Sequence, residues 1–278
     1  MTRTTASTTE DRASGAPSPR HRSTLRSVAL PTEHGGWGLT LESAVLGLAV
    51  RWSAAGVCLA VAAFLAFLAR TPLKVVLVDL RRHRVLPRTR LARLVLAAEI
   101  VAMASLIAAA VTLGASAFWA PVVLIGPLAT VELWFDMRSR SRRLVPELAG
   151  AVGIGGVVAV IALAGGSDLR LAAACWMILA ARSISAIVTV RDVVGSLHGH
   201  QRHPGHVLVA DLAALATVGA AVAIEPAVVV GAIAVLTAIG IQRLQDRRPA
   251  PRAVVIGIRQ TLLGLGVVVA TALGVLWT

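Results

Sequence analysis

The chain has 278 residues, 56% of them hydrophobic and 15% charged, with a formal net charge of +13. A water-soluble domain of this length carries about a quarter charged residues and less than half apolar ones, so the composition excludes an ordinary globular enzyme and describes a membrane protein. The basic residues interrupt long apolar runs and are not interleaved with aromatics, which excludes nucleic acid as a partner and gives the charge a topological role.

Residues 1–29 are rich in Ser, Thr, Arg and Pro and contain no apolar stretch long enough for the core of a signal peptide; they are predicted to form a disordered basic tail. Residues 30–278 are predicted to form one all-α transmembrane domain with spans near 38–50, 54–69, 91–113, 116–134, 147–165, 170–189, 207–223, 226–242 and 254–277. Nine spans place 25 of the 27 Lys and Arg residues on one side and leave only Arg51 and Arg170 on the other. That asymmetry predicts a cytoplasmic N-terminus and an external C-terminus in a multi-pass protein of the cytoplasmic (inner) membrane, with the lipid bilayer as its surroundings.

The first unusual segment is Pro31-Thr32-Glu33-His34-Gly35-Gly36-Trp37-Gly38, at the mouth of the first span. Glu33 and His34 offer acid/base or ligand chemistry, the glycines allow close approach, and Trp37 offers a ring at the interface; the same residues also serve as a packed, anchored helix start. Arg70, Lys74, Arg81, Arg82, Arg182 and Arg191 lie at the predicted cytoplasmic ends of spans, and Lys74 is the only lysine in the chain. Such cations meet either a bound diphosphate or the phosphates of surrounding lipid. Glu42, Glu99, Glu132, Glu147 and Asp211 fall within or just inside spans, where an unpaired charge is costly, and Glu99 and Asp211 lie deepest. Glu132, Asp136 and Glu147 are expected to pair with Arg138, Arg142 or Arg143. Cys58 and Cys175 read as small buried hydrophobes. His198, His200, His203 and His206 crowd one loop, a spacing open to a metal, to proton buffering or to phosphate contacts.

Two stretches resemble each other. Ala69-Arg70-Thr71 is followed by an apolar segment, Asp79 and a cationic loop, and Ala181-Arg182-Ser183 is followed by an apolar segment, Asp192 and the His-rich loop. Two such halves facing each other would set both loops over one cavity, whereas chance similarity in an Ala-, Val-, Leu- and Arg-rich sequence is the other reading.

The segment from Pro31 to Gly38 resembles the N-terminal signature of the YwiC-like family of bacterial integral membrane proteins. Arg70-Thr71-Pro72-Leu73, and Arg182-Ser183-Ile184 running through Val190-Arg191, are similar to further stretches of that family. More distantly, the helix count and the loops after spans two and six resemble the UbiA superfamily of intramembrane prenyltransferases, although each of those loops here holds one acid where that family has several. The second resemblance implies a UbiA-like helical bundle acting on a prenyl or lipid diphosphate at the cytoplasmic side, with Mg2+ as cofactor. It implies Asp79 and Asp192 as metal-holding residues, Glu33, His34 and Glu99 as proton-handling residues, and Arg70, Lys74, Arg182, Arg191, Trp37 and Asp211 around an isoprenoid diphosphate. Against this transferase stand a proton-coupled transporter, for which the intramembrane Glu42, Glu99 and Asp211 speak, and a non-enzymatic scaffold.

Overall fold

A computed structural model describes residues 30, 34–115, 117–138, 143–246 and 251–278 of the chain; Glu33 lies outside the described residues, as does the predicted tail. The helices are α1 (His34–Val50), α2 (Ala54–Arg81), α3 (Pro87–Thr112), α4 (Trp119–Met137), α5 (Leu144–Gly155), α6 (Val157–Ala164), α7 (Leu169–Leu197), α8 (Pro204–Ile224), α9 (Val229–Asp246) and α10 (Ala253–Trp277). Together α5 and α6 make one span, Leu144–Ala164, and eight segments are long and apolar enough to cross a membrane. The shorter α1 has 17 residues and begins at His34, so the glycine-rich segment is helical. The result is a polytopic helical bundle, and no strand occurs among the described residues.

Two helices run well past their predicted ends. The second predicted span stops at 69, but α2 continues through Pro72 to Arg81, and α7 continues past 189 to Leu197. A charge follows each predicted end, Arg70 in one and Arg191 in the other, yet neither breaks its helix. The residues that follow include helix-compatible leucines and valines, most of them at least half-buried against the bundle. Pro72 is buried, and a membrane helix tolerates a proline where neighbouring helices cover it. Arg70, Lys74, Arg182 and Arg191 therefore project from helices within the bundle and not from loops.

Small residues let the helices approach closely. The largest core cluster combines Ala159, Ala162, Ala172, Ala174, Ala181, Ala214 and Ala221 with Leu46, Ile178 and Val267, as expected where helices associate through van der Waals packing with little hydrophobic drive. At Gly156, between α5 and α6, a Cβ would collide with the side chains of Ile125 and Trp176. This glycine lets α4 and α7 close on the break, and the Trp176 indole donates to the Val152 carbonyl at 2.8 Å beside it.

Antiparallel hairpins α2–α3, α4–α5, α7–α8 and α9–α10 supply much of the packing, while α1 runs through the middle against α2, α5, α6 and α10. The chain therefore packs its first helix against its last. The outermost helices are α3 and α4, which follow one another in the chain yet scarcely touch. The turns at 82–86 and 198–203 gather at the arginine-rich end, and the turns at Gly114 and Gly166, both with positive φ, lie at the other. In a chain with Cys58 and Cys175 replaced by alanine, single cysteines at His200 and Gly166 are expected to react with an impermeant maleimide from opposite sides of sealed vesicles. Labelling of both from the same side would refute the crossing by α7.

Candidate functional site

Cations on α2 meet carboxylates on α4. Arg70 and Lys74 stand one turn apart, as do Glu132 and Asp136, so each pair shares a helical face. The Arg70 Nη1 lies 2.8 Å from Glu132, its Nε donates to Asp136 at 2.9 Å, and Lys74 Nζ donates to Asp136 at 3.2 Å. Asp136 has no exposed surface, while Arg70 and Lys74 keep partial access. Gly150 on α5 admits this group, because a Cβ there would strike the Glu132 carboxylate.

Arg70, Glu132 and Asp136 of this quartet close one end of a cavity of about 400 Å3 whose remaining wall is almost wholly apolar. Its walls are Ala63, Ala66 and Phe67 of α2, Leu96, Ile100 and Met103 of α3, Ile125 and Ala129 of α4, and Ile154 of α5. Trp37 does not enter it; the indole packs edge-on against Phe64 and Phe67, at 5.4 and 5.3 Å between centroids, and so fixes the ring of Phe67 that does. Because α3 and α4 both line the cavity and hardly contact each other, its side faces outward between them.

A second cavity of about 360 Å3 lies across α1, among α1, α7 and α10. In its wall the Arg182 Nη2 donates to Glu42 at 3.0 Å and to the Gln260 carbonyl at 2.6 Å, and both side chains of the ion pair are over nine-tenths buried. Gly264 makes room for the pair, since a Cβ there would overlap both charged groups. Nearer the arginine-rich end, Arg191 meets Glu147 at 2.7 Å, each about one-third exposed. Asp211 belongs to neither cavity. It accepts from Arg243 Nε and from the Ser185 hydroxyl, both at 2.7 Å, while Arg243 Nη2 donates to Thr189 at 2.6 Å, tying α7, α8 and α9 together.

The two aspartates of the apparent repeat are placed alike. Asp79, fully buried, accepts from Thr89 in the first turn of α3, from Arg84 at 3.1 Å and from Arg88 at 3.4 Å. Asp192 accepts from the backbone N–H of His203, which precedes α8, at 2.7 Å, and lies 3.8 Å from Arg202. Each aspartate thus closes a hairpin by holding the start of the following helix. Both Asp79 oxygens are engaged by cations and a hydroxyl, and among the described residues no group of three His, Cys, Asp or Glu stands close enough to hold a metal.

Of the other sequence candidates, His34 opens α1, and Glu99 lies on α3 with one carboxylate oxygen buried and without a hydrogen-bond partner. His203 and His206 lie ring against ring at 5.2 Å. Glu132, Asp136 and Glu147 were expected to pair with nearby arginines of their own loop, and instead reach α2 and α7. The signal was present in the i, i+4 spacing of both Arg70/Lys74 and Glu132/Asp136.

Residues 30–162 match the family model described as YwiC-like protein. The match spans a little under half of the chain. No curated protein and no solved structure matches it. The YwiC-like stretch takes in α1 to α5 and most of α6, and with them the whole quartet and its cavity, whereas Arg182, Arg191, Asp192 and Asp211 lie beyond it.

Replacing Asp136 by alanine is expected to cost about 3 kcal/mol, because it removes the fully buried carboxylate that the partly exposed Arg70 and Lys74 share. Asp192→Ala, which loses the acceptor of the His203 N–H and a long contact with Arg202, should cost about 1 kcal/mol. Equilibrium unfolding in mixed micelles ranks the two, and an equal loss would contradict the burial argument.

Proposed function

We propose that this YwiC-like membrane protein binds an amphiphile in the cavity between α2, α3, α4 and α5, with an apolar tail against Phe67, Leu96, Ile100 and Ile154 and an anionic head near Arg70 and Lys74. The observation that carries this reading is an apolar cavity that has Arg70 in its wall beside Glu132 and Asp136, with Lys74 behind Asp136, and that opens sideways between the outermost helices. A lipid arrives laterally within the bilayer, so a side opening suits a lipid better than a water-soluble solute. The arginine-rich end is read as cytoplasmic from the same charge asymmetry that orients the chain.

Arg70 and Lys74 already share two carboxylates, so the quartet as a whole is close to neutral. A phosphate-bearing head therefore competes with Glu132 for Arg70 or draws on further cations. Arg93 is exposed, and it stands on the same face of α3 as Leu96, Ile100 and Met103, one turn before the first of them. These residues support a prenyl or lipid phosphate as ligand and a UbiA-like transfer as the reaction, in which Arg70 and Lys74 neutralise the leaving phosphate. No step is assigned to magnesium, because Asp79 and Asp192 are committed to closing their hairpins. A proton-coupled carrier is the second reading, favoured by the buried, unpartnered oxygen of Glu99 at membrane depth.

Thermal unfolding of the purified protein with geranyl, farnesyl or geranylgeranyl diphosphate, each against an alkyl phosphate control, tests the first reading. A rise in Tm that depends on chain length and disappears in Arg70→Gln is expected, since binding to the folded state alone stabilises it. Equal shifts with ligand and control would refute it. Proton-gradient-driven uptake abolished by Glu99→Gln would establish the second reading in its place.

A further inference from the structure

The cavity among α1, α7 and α10 is separate from the lipid cavity and differs from it in chemistry. Its wall carries opposite charges at two levels, the Glu42–Arg182 pair in the interior and the Glu147–Arg191 pair toward the arginine-rich end. Between them stand Leu39, Ala186, Ile187, Val190 and Ile256. Arg182 is 8% exposed, and its Nε N–H is buried without an acceptor, although Nη2 has two. A guanidinium with an unmet donor beside a cavity has unused capacity for a planar oxyanion. Glu42 stands next to it, and the Gln260 carbonyl adds a second acceptor.

The balance of charge selects the ligand. A simple anion drawn to Arg182 would face the Glu42 carboxylate, and a simple cation drawn to Glu42 would face Arg182. Either would divide a buried ion pair and leave one partner uncompensated, at a cost of several kcal/mol. A zwitterion avoids this, because its carboxylate meets Arg182 while its ammonium meets Glu42 and the Gln260 carbonyl, and no net charge enters the membrane interior. The apolar middle of the cavity then takes an apolar side chain, and a volume of about 360 Å3 is of the order of small-molecule sites. We propose that this cavity is a binding site for an α-amino acid with an apolar side chain, entered past Glu147 and Arg191. The site stands independently of the lipid cavity and of any reaction there.

The test is direct binding of tritiated leucine to the full-length protein in detergent, with unlabelled leucine, N-acetylleucine and leucinamide as competitors. Saturable binding is expected, displaced by leucine and at least about tenfold less well by either blocked analogue, one charge being worth at least about 1.4 kcal/mol at such a site. Absence of saturable binding overturns the proposal, and so does equal displacement by N-acetylleucine, which would mean an anion site. Location is tested by Gly38→Leu and Gly257→Leu. Both glycines line the cavity; an added Cβ at Gly257 meets nothing within 4 Å, and one at Gly38 meets only the Glu42 carboxylate, at 3.9 Å. Each variant is expected to keep the wild-type Tm and to lose at least about tenfold in leucine affinity while its response to prenyl diphosphates is unchanged. A folded variant with full leucine affinity would overturn the assignment to this cavity.

Discussion

Charge in a bilayer interior must find its counter-charge within the protein, because lipid offers none and the cost of an unpaired ion is several kcal/mol. That constraint organises this bundle. Arg70 and Lys74 on α2 bind α4 through Glu132 and Asp136, Arg182 on α7 binds α1 through Glu42, and Arg243 on α9 binds α8 through Asp211. None of these bridges lies within one of the long hairpins; α8 and α9, although consecutive, belong to different ones. Apolar packing of alanine against alanine sets how near the helices come. The ion pairs set which faces meet, since rotating α2 or α7 by one residue position would leave a buried guanidinium alone.

Helix α1 gains its importance from this arrangement. It runs between two cavities, presents Thr40 to the one between α2, α3, α4 and α5 and Gly38, Leu39 and Glu42 to the other, and has Trp37 packed on the wall of the first. The glycines of its first turns do different work on each side. Gly36 lies against the Phe67 ring, whereas Gly38 borders open space beside Glu42. An apolar helix shorter than the spans around it is thus placed where both candidate sites depend on it.

The class of fold was legible in the sequence: nine apolar segments, a one-sided distribution of arginine, and short turns are enough to derive a polytopic helical bundle. The ends of α2 and α7 were not, because Arg70 and Arg191 look like boundary markers in a linear reading, and only their contacts with Glu132 and Asp136 on α4 and with Glu147 on α5 place them on continuous helices. The likeness between the segments around Arg70 and Arg182 was legible too, but its meaning lay in contacts. Asp79 and Asp192 sit at the same place in two hairpins and hold the next helix, through Thr89 in one and the backbone of His203 in the other. A motif that reads as metal chemistry in sequence becomes, in three dimensions, a repeated way of closing a turn. Glu132 and Asp136 were undervalued because nearby arginines offered an easier local pairing, and sequence distance does not rank partners across a bundle.

The pairing of interior charges also bears on how the protein responds to voltage. A membrane potential acts on net charge, at about 2.3 kcal/mol per elementary charge per 100 mV. The Glu42–Arg182 pair, the quartet around Asp136 and the Asp211–Arg243 pair each hold equal numbers of opposite charges, so the field exerts almost no net force on the helices that carry them. Most of the remaining arginines sit at one end of the bundle, where little of the potential falls. The architecture is electrically quiet, and a zwitterion that entered beside Glu42 and Arg182 would leave it so.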